Sequence, residues 1–159
     1  LLKTINEEDF INKMRFACVL AAYIKRRSNL ILLSKKDQLM DVDELALSIN
    51  ESISYLSLTN IECFLDFNLK GKINSDILGT IYDFFEMCVV IDPYLQASFL
   101  VHLFQKEKNI IIRIESDIEK NYLPLITNKL IKKFSSNVAI QHDEITTYFS
   151  LFLPSKGIL

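Results

Sequence analysis

Two carboxylates three residues apart, Asp83 and Glu86, are the side chains in this sequence best placed to do chemistry. They fall in the stretch Asn74–Pro93, where Ile77, Ile81, Phe84, Phe85 and Cys88 recur at helical spacing and Gly79, Asp83, Glu86 and Val90 share the other side. The spacing predicts a central helix that packs along one side and leaves Asp83, Glu86 and Met87 available on the other. Asp83 could ligate a hard cation, whereas the Met87 thioether is a soft donor that magnesium does not use. With no further acid, base or nucleophile beside them, the two carboxylates read as a solvated helix face rather than an acid and base pair. Gly79 reads either as a tolerated helix glycine or as a point where a ligand or another helix comes close.

The remaining reactive side chains are dispersed. His102 falls in a predicted strand between Leu100 and Phe104 and His142 in a predicted hairpin turn, so both read as structural or merely exposed. Cys18, Cys63 and Cys88 are odd in number, lack CxxC spacing and have apolar neighbours, which predicts reduced core cysteines without a disulfide or zinc site. Gly71, Gly79 and Gly157 are far apart, so no glycine-rich loop can converge backbone N–H groups on a phosphate. Lys25, Arg26 and Arg27 form a compact basic cluster, read as a solvated face or as partners for nearby carboxylates, with a weak anion or acidic-partner site as the other reading.

The elements that would position these groups begin with residues 7–36, which contain neither Gly nor Pro. Phe10, Met14, Ala17, Ala21, Ile24, Ser28 and Ile31 alternate in steps of four and three, the a/d seam of a helix that pairs with another helix. Phe16, Leu20, Tyr23 and Leu30 make a second stripe. The helix therefore either lies wholly on its own core or joins a dimer or hairpin, and on the second reading Phe10, Met14, Ala17, Ala21, Ile24 and Ile31 form a homodimer interface. Asp41 and Glu44 mark the start of a helix reaching to about Asn60. A strand from Ile61 to Phe67 follows, closed by a turn at Asn68–Gly71, and Asn74 or Ser75 caps the central helix. Runs at Ala97–Phe104 and Ile110–Ser116 predict a hairpin. A fourth helix carries Pro124 in its first turn, with Leu123, Ile126, Leu130, Ile131 and Phe134 inward. Val138–Gln141 and Ile145–Leu153 predict a last hairpin, and Ser155–Leu159 a tail.

This order predicts an α/β fold of the α+β two-layer sandwich type, with a mixed, mostly antiparallel sheet and helices on one face, preceded by a long N-terminal helix. Residues 1–38 are expected to be that dimerisation-type helix and 39–159 the domain it precedes. At 159 residues one core suffices. A net charge of -2 gives no general attraction to nucleic acid. Half of the residues are hydrophobic and mean hydropathy is +0.20, yet no apolar run approaches the roughly 18 residues of a membrane span. A cytoplasmic protein is expected, any membrane attachment coming from a region upstream of Leu1.

The order of elements and the closing string Tyr148–Pro154 resemble the ATP-binding domain of bacterial sensor histidine kinases, members of the gyrase, Hsp90, kinase and MutL superfamily. The resemblance covers about residues 39–154, and residues 7–36 resemble a helix of the dimerisation hairpin. It implies that the central helix is the one that offers two asparagines to magnesium and phosphates. Asp83 stands at the first of those positions, Glu86 at the acidic one and Met87 at the second. It also implies a strand-end Asp-x-Gly-x-Gly that reads adenine, where this sequence has Ser116 and no glycine. Between that strand and the next helix the family carries a glycine-rich lid, reduced here to Asp117–Leu123. The family's phosphoacceptor is a helical His, which this chain lacks. The resemblance therefore implies a degenerate, nucleotide-binding-deficient kinase-like domain of two-component signalling, working as a homodimeric binding or regulatory module with a protein partner and without a cofactor. Two alternatives stay open. One is an ATP-binding domain in which Asp83 and Glu86 still serve ATP and magnesium and a His outside this chain is phosphorylated; the other is a histidine phosphotransferase.

Overall fold

The computed structural model describes residues 2–155, with side chains from residue 6 onward. Helix α1 (Leu2–Ser34) leads into β1 (Leu39–Asp41), α2 (Asp43–Leu56), β2 (Ile61–Asn68), β3 (Lys72–Asn74), α3 (Ser75–Val89), β4 (Ala97–Lys106), β5 (Asn109–Ser116), α4 (Leu123–Phe134), β6 (Val138–His142) and β7 (Thr147–Pro154). Five strands form one sheet in the order β2-β4-β5-β7-β6. Strands β2 and β4 are parallel, with Ile61 opposite Ala97, and the other neighbours are antiparallel. A parallel pair needs a crossover, and α3 supplies it, which lays this helix across the sheet. The sheet is mixed and mostly antiparallel, in a two-layer α/β arrangement, as the pattern of hairpins and amphipathic helices predicts.

Alternation along the strands places the core. Ile61 and Cys63 of β2, Phe99, Val101 and Leu103 of β4, Ile112 and Ile114 of β5, and Phe149 and Leu151 of β7 face the helices and are buried. Leu45, Ile49 and Leu56 of α2 and Ile126, Leu130 and Phe134 of α4 meet them in one cluster. Helix α3 lies at the middle: Leu78, Ile81, Tyr82, Phe84, Phe85, Cys88 and Val89 are all buried. Asn74 caps it, its Oδ1 accepting the Asp76 N–H at 2.8 Å. Among the described residues no helix is long and apolar enough to cross a membrane.

Several local expectations are corrected. Two strands that are not predicted, β1 and β3, the latter just after the predicted turn at Asn68–Gly71, pair antiparallel as a separate two-stranded sheet, with Leu39 opposite Asn74; three residues are too few to display alternation. Asp41 belongs to β1 rather than capping α2 directly, and its Oδ1 accepts the Asp43 N–H at 2.9 Å. Helix α2 stops at Leu56, short of Asn60, and the hydroxyls of Ser57 and Thr59 donate to the carbonyls of Ser54 and Leu56. Strands β4 and β5 run on to a two-residue turn in which Glu107 has φ 57°, so the expected five-residue connection is mostly strand. Ile131 is 53% exposed, because it lies about a quarter-turn from the Ile126–Leu130–Phe134 stripe. Cys63 and Cys88 are buried as predicted, and burial pushes the Cys63 thiol up to about 12, but Cys18 is exposed on α1. The predicted tail beyond Ser155 lies outside the described residues.

Because the Asn74 carboxamide supplies an acceptor to the otherwise unpaired first turn of α3, Asn74→Ala is expected to cost about 1 kcal/mol and Asn74→Gly only a few tenths. Urea midpoints of the two variants, compared at unchanged denaturant slope, check this.

Candidate functional site: the Asp83 side of α3

Helix α1 lies along α2 and α3 and closes the surface that the sequence leaves open. Near its start Asp9 accepts from the Tyr94 hydroxyl, beyond the C-terminal end of α3, whereas Arg27 reaches Gly79 and Asp83, well before that end. The two helices therefore run in opposite directions. Val19, Ala22 and Leu30 of α1 are buried beneath it. Two adjacent arginines then tie the helix to two different neighbours. Arg26 Nε donates to Glu51 Oε2 of α2 at 2.8 Å, and Arg27 donates to Asp83 of α3, Nε to Oδ1 at 2.9 Å and Nη2 to Oδ2 at 3.3 Å.

Asp83 has two more partners. The Tyr23 hydroxyl, one turn before Arg27, donates to Oδ1 at 2.5 Å, and Lys133 Nζ of α4 stands 3.6 Å from Oδ2. With all of them in place Asp83 is only 9% exposed. The Tyr23 ring packs at 5.3 Å on Tyr82, whose hydroxyl in turn bonds Ser52 Oγ at 2.7 Å. Gly79, one turn before Asp83, completes the arrangement: a Cβ there would stand 2.8 Å from both Arg27 Nη atoms and 2.9 Å from Cζ. Such a Cβ would be almost equally far from all three atoms, so the guanidinium lies across the glycine face-on.

The prediction that Gly79, Asp83 and Glu86 form a solvated side of the helix is thus corrected. Gly79 is a point of close helix approach and Asp83 is a buried, paired carboxylate. Of the two readings of the basic cluster, carboxylate partners hold for Arg26 and Arg27, while Lys25 is exposed. Glu86 is half-buried beside Asp83. Burial, then the Asp83 charge, pushes its carboxyl up to about 7, against the pull of Lys133 and Lys129. Met87 packs against the core edge. Burial and the neighbouring Asp83 also raise the Tyr23 phenol. Tyr23, Arg27 and Lys133 are the members that the sequence reading does not assign to this site. The available signal was the spacing of Tyr23 and Arg27, four apart and facing away from the a/d seam.

The strand end that the resemblance assigns to adenine recognition carries a buried Ser116, whose Oγ accepts the Ile118 N–H at 3.1 Å. Its acidic neighbours point to the other side of the sheet. Glu115 Oε2 lies 3.5 Å from His102 Nε2, and Asp117 Oδ1 accepts the Ser98 N–H at 2.7 Å. His102 is held between Glu115 and Asp66, the latter 3.1 Å from Nδ1, and His142 is exposed at the end of β6. From Asp117 the chain reaches α4 through a single short turn, Lys120–Tyr122. Among the described residues no three His, Cys, Asp or Glu side chains gather as they would around a metal ion.

The a/d seam of α1 points away from all of this. Phe10 is 62% and Ile24 61% exposed, and Met14, Ala17, Ala21 and Ile31 are exposed with them. They stand roughly half a turn round the helix from Val19, Arg26 and Leu30.

A scan against protein-family models and a search of curated proteins each found no match. Solved structures do match. The histidine kinase domain of the Erythrobacter litoralis EL346 blue-light activated histidine kinase is 10% identical with a TM-score of 0.57, over 84% of this chain and 75% of that one. The Acinetobacter baumannii histidine kinase AdeS is 12% identical with a TM-score of 0.50, over 84% and 77%. A bacterial phosphotransferase is 10% identical with a TM-score of 0.52, over 89% and 94%. At such identities the likeness is one of fold: this chain folds as a histidine kinase ATP-binding domain does.

The raised Glu86 carboxyl has a pH signature. Its folded value of about 7 lies above its ordinary 4.5, so the folded state holds the proton more tightly and stability falls as pH rises between the two. Glu86→Gln is expected to match the wild type near pH 5 and to exceed it by about 1 kcal/mol at pH 8, after allowing for solvent screening. Urea unfolding of both proteins across this range measures the divergence.

Proposed function

Taking the histidine kinase ATP-binding fold as premise, we propose that this chain is a kinase-like signalling domain that acts by binding. It dimerises through the α1 seam, does not use nucleotide, and engages a protein partner in the cytoplasm. The observation that carries this reading is the ring around Asp83. In the resemblance this position faces magnesium and phosphates, yet here its charge is met by Arg27, Tyr23 and Lys133, and the surface at Gly79 lies under a guanidinium. With α1 seated, a magnesium–nucleotide does not fit: the space is filled, and the carboxylate that would ligate the metal is already neutralised. Ser116 in place of an adenine-reading carboxylate supports the same conclusion. The exposed seam supports the dimer, since an a/d row over three heptads suits a second helix better than water.

A histidine phosphotransferase is the second reading, favoured by the match that spans 94% of a bacterial phosphotransferase. It requires a helical His, and the histidines of this sequence are His102 and His142, both on strands. The ATP-binding reading, with Asp83 or Glu86 on magnesium and a phosphoacceptor outside this chain, requires α1 to leave α3.

Calorimetric titration with ADP and ATP, with and without magnesium, tests the proposal. No binding is expected up to millimolar concentrations. A Kd tighter than about 1 mM, or roughly 4 kcal/mol, overturns the binding-module reading, and loss of that affinity in Asp83→Ala would establish the ATP-binding one. In sedimentation the wild type is expected to be a dimer and Phe10→Glu/Ile24→Glu a folded monomer, because paired charges in a seam are costly to bury.

A further inference from the structure

We infer that Gly79 and Asp83 form a cradle for a guanidinium group, and that Arg27 seated in it is a latch by which α1 closes the Asp83 side of α3 and, unseated, opens it. This deepens the proposed function by naming what controls that surface, and rests on reading it as the side the domain would present.

Three features make the cradle specific for a guanidinium. The flat group lies on Gly79 at distances that a Cβ would violate, so the helix surface is shaped for a planar cation. Asp83 receives it through two roughly parallel N–H donors, Nε and Nη2, which an ammonium cannot reproduce. Tyr23, on the same helix as Arg27, donates to the same carboxylate oxygen, so latch and carboxylate are aligned from one element.

The apolar part of the attachment is narrow. Among the described side chains of α1, a helix of 33 residues, the buried apolar ones are Val19, Ala22 and Leu30. The larger apolar side chains Phe10, Met14, Ile24 and Ile31 face away. Val19 and Leu30 belong to the core cluster that also holds Phe84, Phe99 and Phe149, so lifting α1 withdraws two side chains from it and leaves those of the sheet, α2, α3 and α4 in place. Two arginine–carboxylate pairs reinforce this contact, and the Arg27 pair lies over the surface that matters.

The test reads the lifting of α1 in the whole chain without nucleotide, so its outcome is independent of the nucleotide titration. In a Cys18→Ser background, Ala22→Cys places a thiol on the buried side of α1, while Cys88 in the α3 core reports opening of the domain itself. Arg27→Ala is expected to raise the labelling rate at position 22 about ten- to hundredfold, the range that a lost charge-assisted pair implies, with Cys88 still protected. Millimolar ethylguanidinium should restore slow labelling, ethylammonium should not, and Arg27→Lys should label as fast as Arg27→Ala. An unchanged rate in Arg27→Ala, equal rescue by ethylammonium, or labelling of Cys88 in step with position 22 would each overturn the latch.

Discussion

A carboxylate on a helix packed from every side must find cations or return to water, since stripping an isolated charge of its hydration costs several kcal/mol. Asp83 is that carboxylate, and the way α1 lies follows from it. The sheet takes the Phe84 and Phe85 side of α3, α2 and α4 also contact it, and α1 lies over the Gly79–Asp83 line. Arg27 and Tyr23 cover it from α1 and Lys133 from α4, so one side chain draws together three helices. Glu86, one turn on, lacks such a set of donors and keeps a carboxyl that protonates near neutrality. Two neighbouring acids on one helix thus differ in character because one is answered by donors and the other is mainly desolvated.

Helix α1 works as a two-sided element. Its inner side is narrow and partly polar, built from small or branched residues and two arginines whose stems lie along apolar surface while their ends reach carboxylates. Its outer side is wide and apolar, with Ile11 and Leu32 exposed beside the seam. Soluble monomers rarely leave contiguous apolar patches larger than roughly a few hundred Å² in water. Among the described residues, seven of the fifteen exposed large hydrophobic side chains lie on α1. Inward, Val19 and Leu30 join the core and the two arginine pairs add to their hold.

The sheet face away from the helices has a different character. Asp66, His102 and Glu115 stand side by side across three strands, and Phe64 is largely exposed on the edge strand β2. The acidic residues nearest the strand end assigned to adenine recognition belong to this face. Strand alternation sends Glu115 and Asp117 to one side and Ser116 to the other, and no local adjustment can exchange them without moving the whole strand by a residue.

Periodicity and turn chemistry were enough to read the long first helix, the amphipathic faces of α2 and α4, a cap at Asn74 or Ser75 and the two late hairpins. These depend on interactions within a few residues along the chain, whereas the sequence left open whether the Phe10–Ile31 seam faces the protein's own core or another helix. The short strands β1 and β3 were not legible, because each is defined only by its partner more than thirty residues away. The candidate site was half legible: Asp83 and Glu86 stood out as carboxylates on the non-packing side of a helix, but their state did not. Whether a helix side is wet or buried depends on what folds over it. Here the cover comes from Tyr23 and Arg27, separated from Asp83 by 60 and 56 residues, and only the tertiary structure brings them within hydrogen-bonding distance.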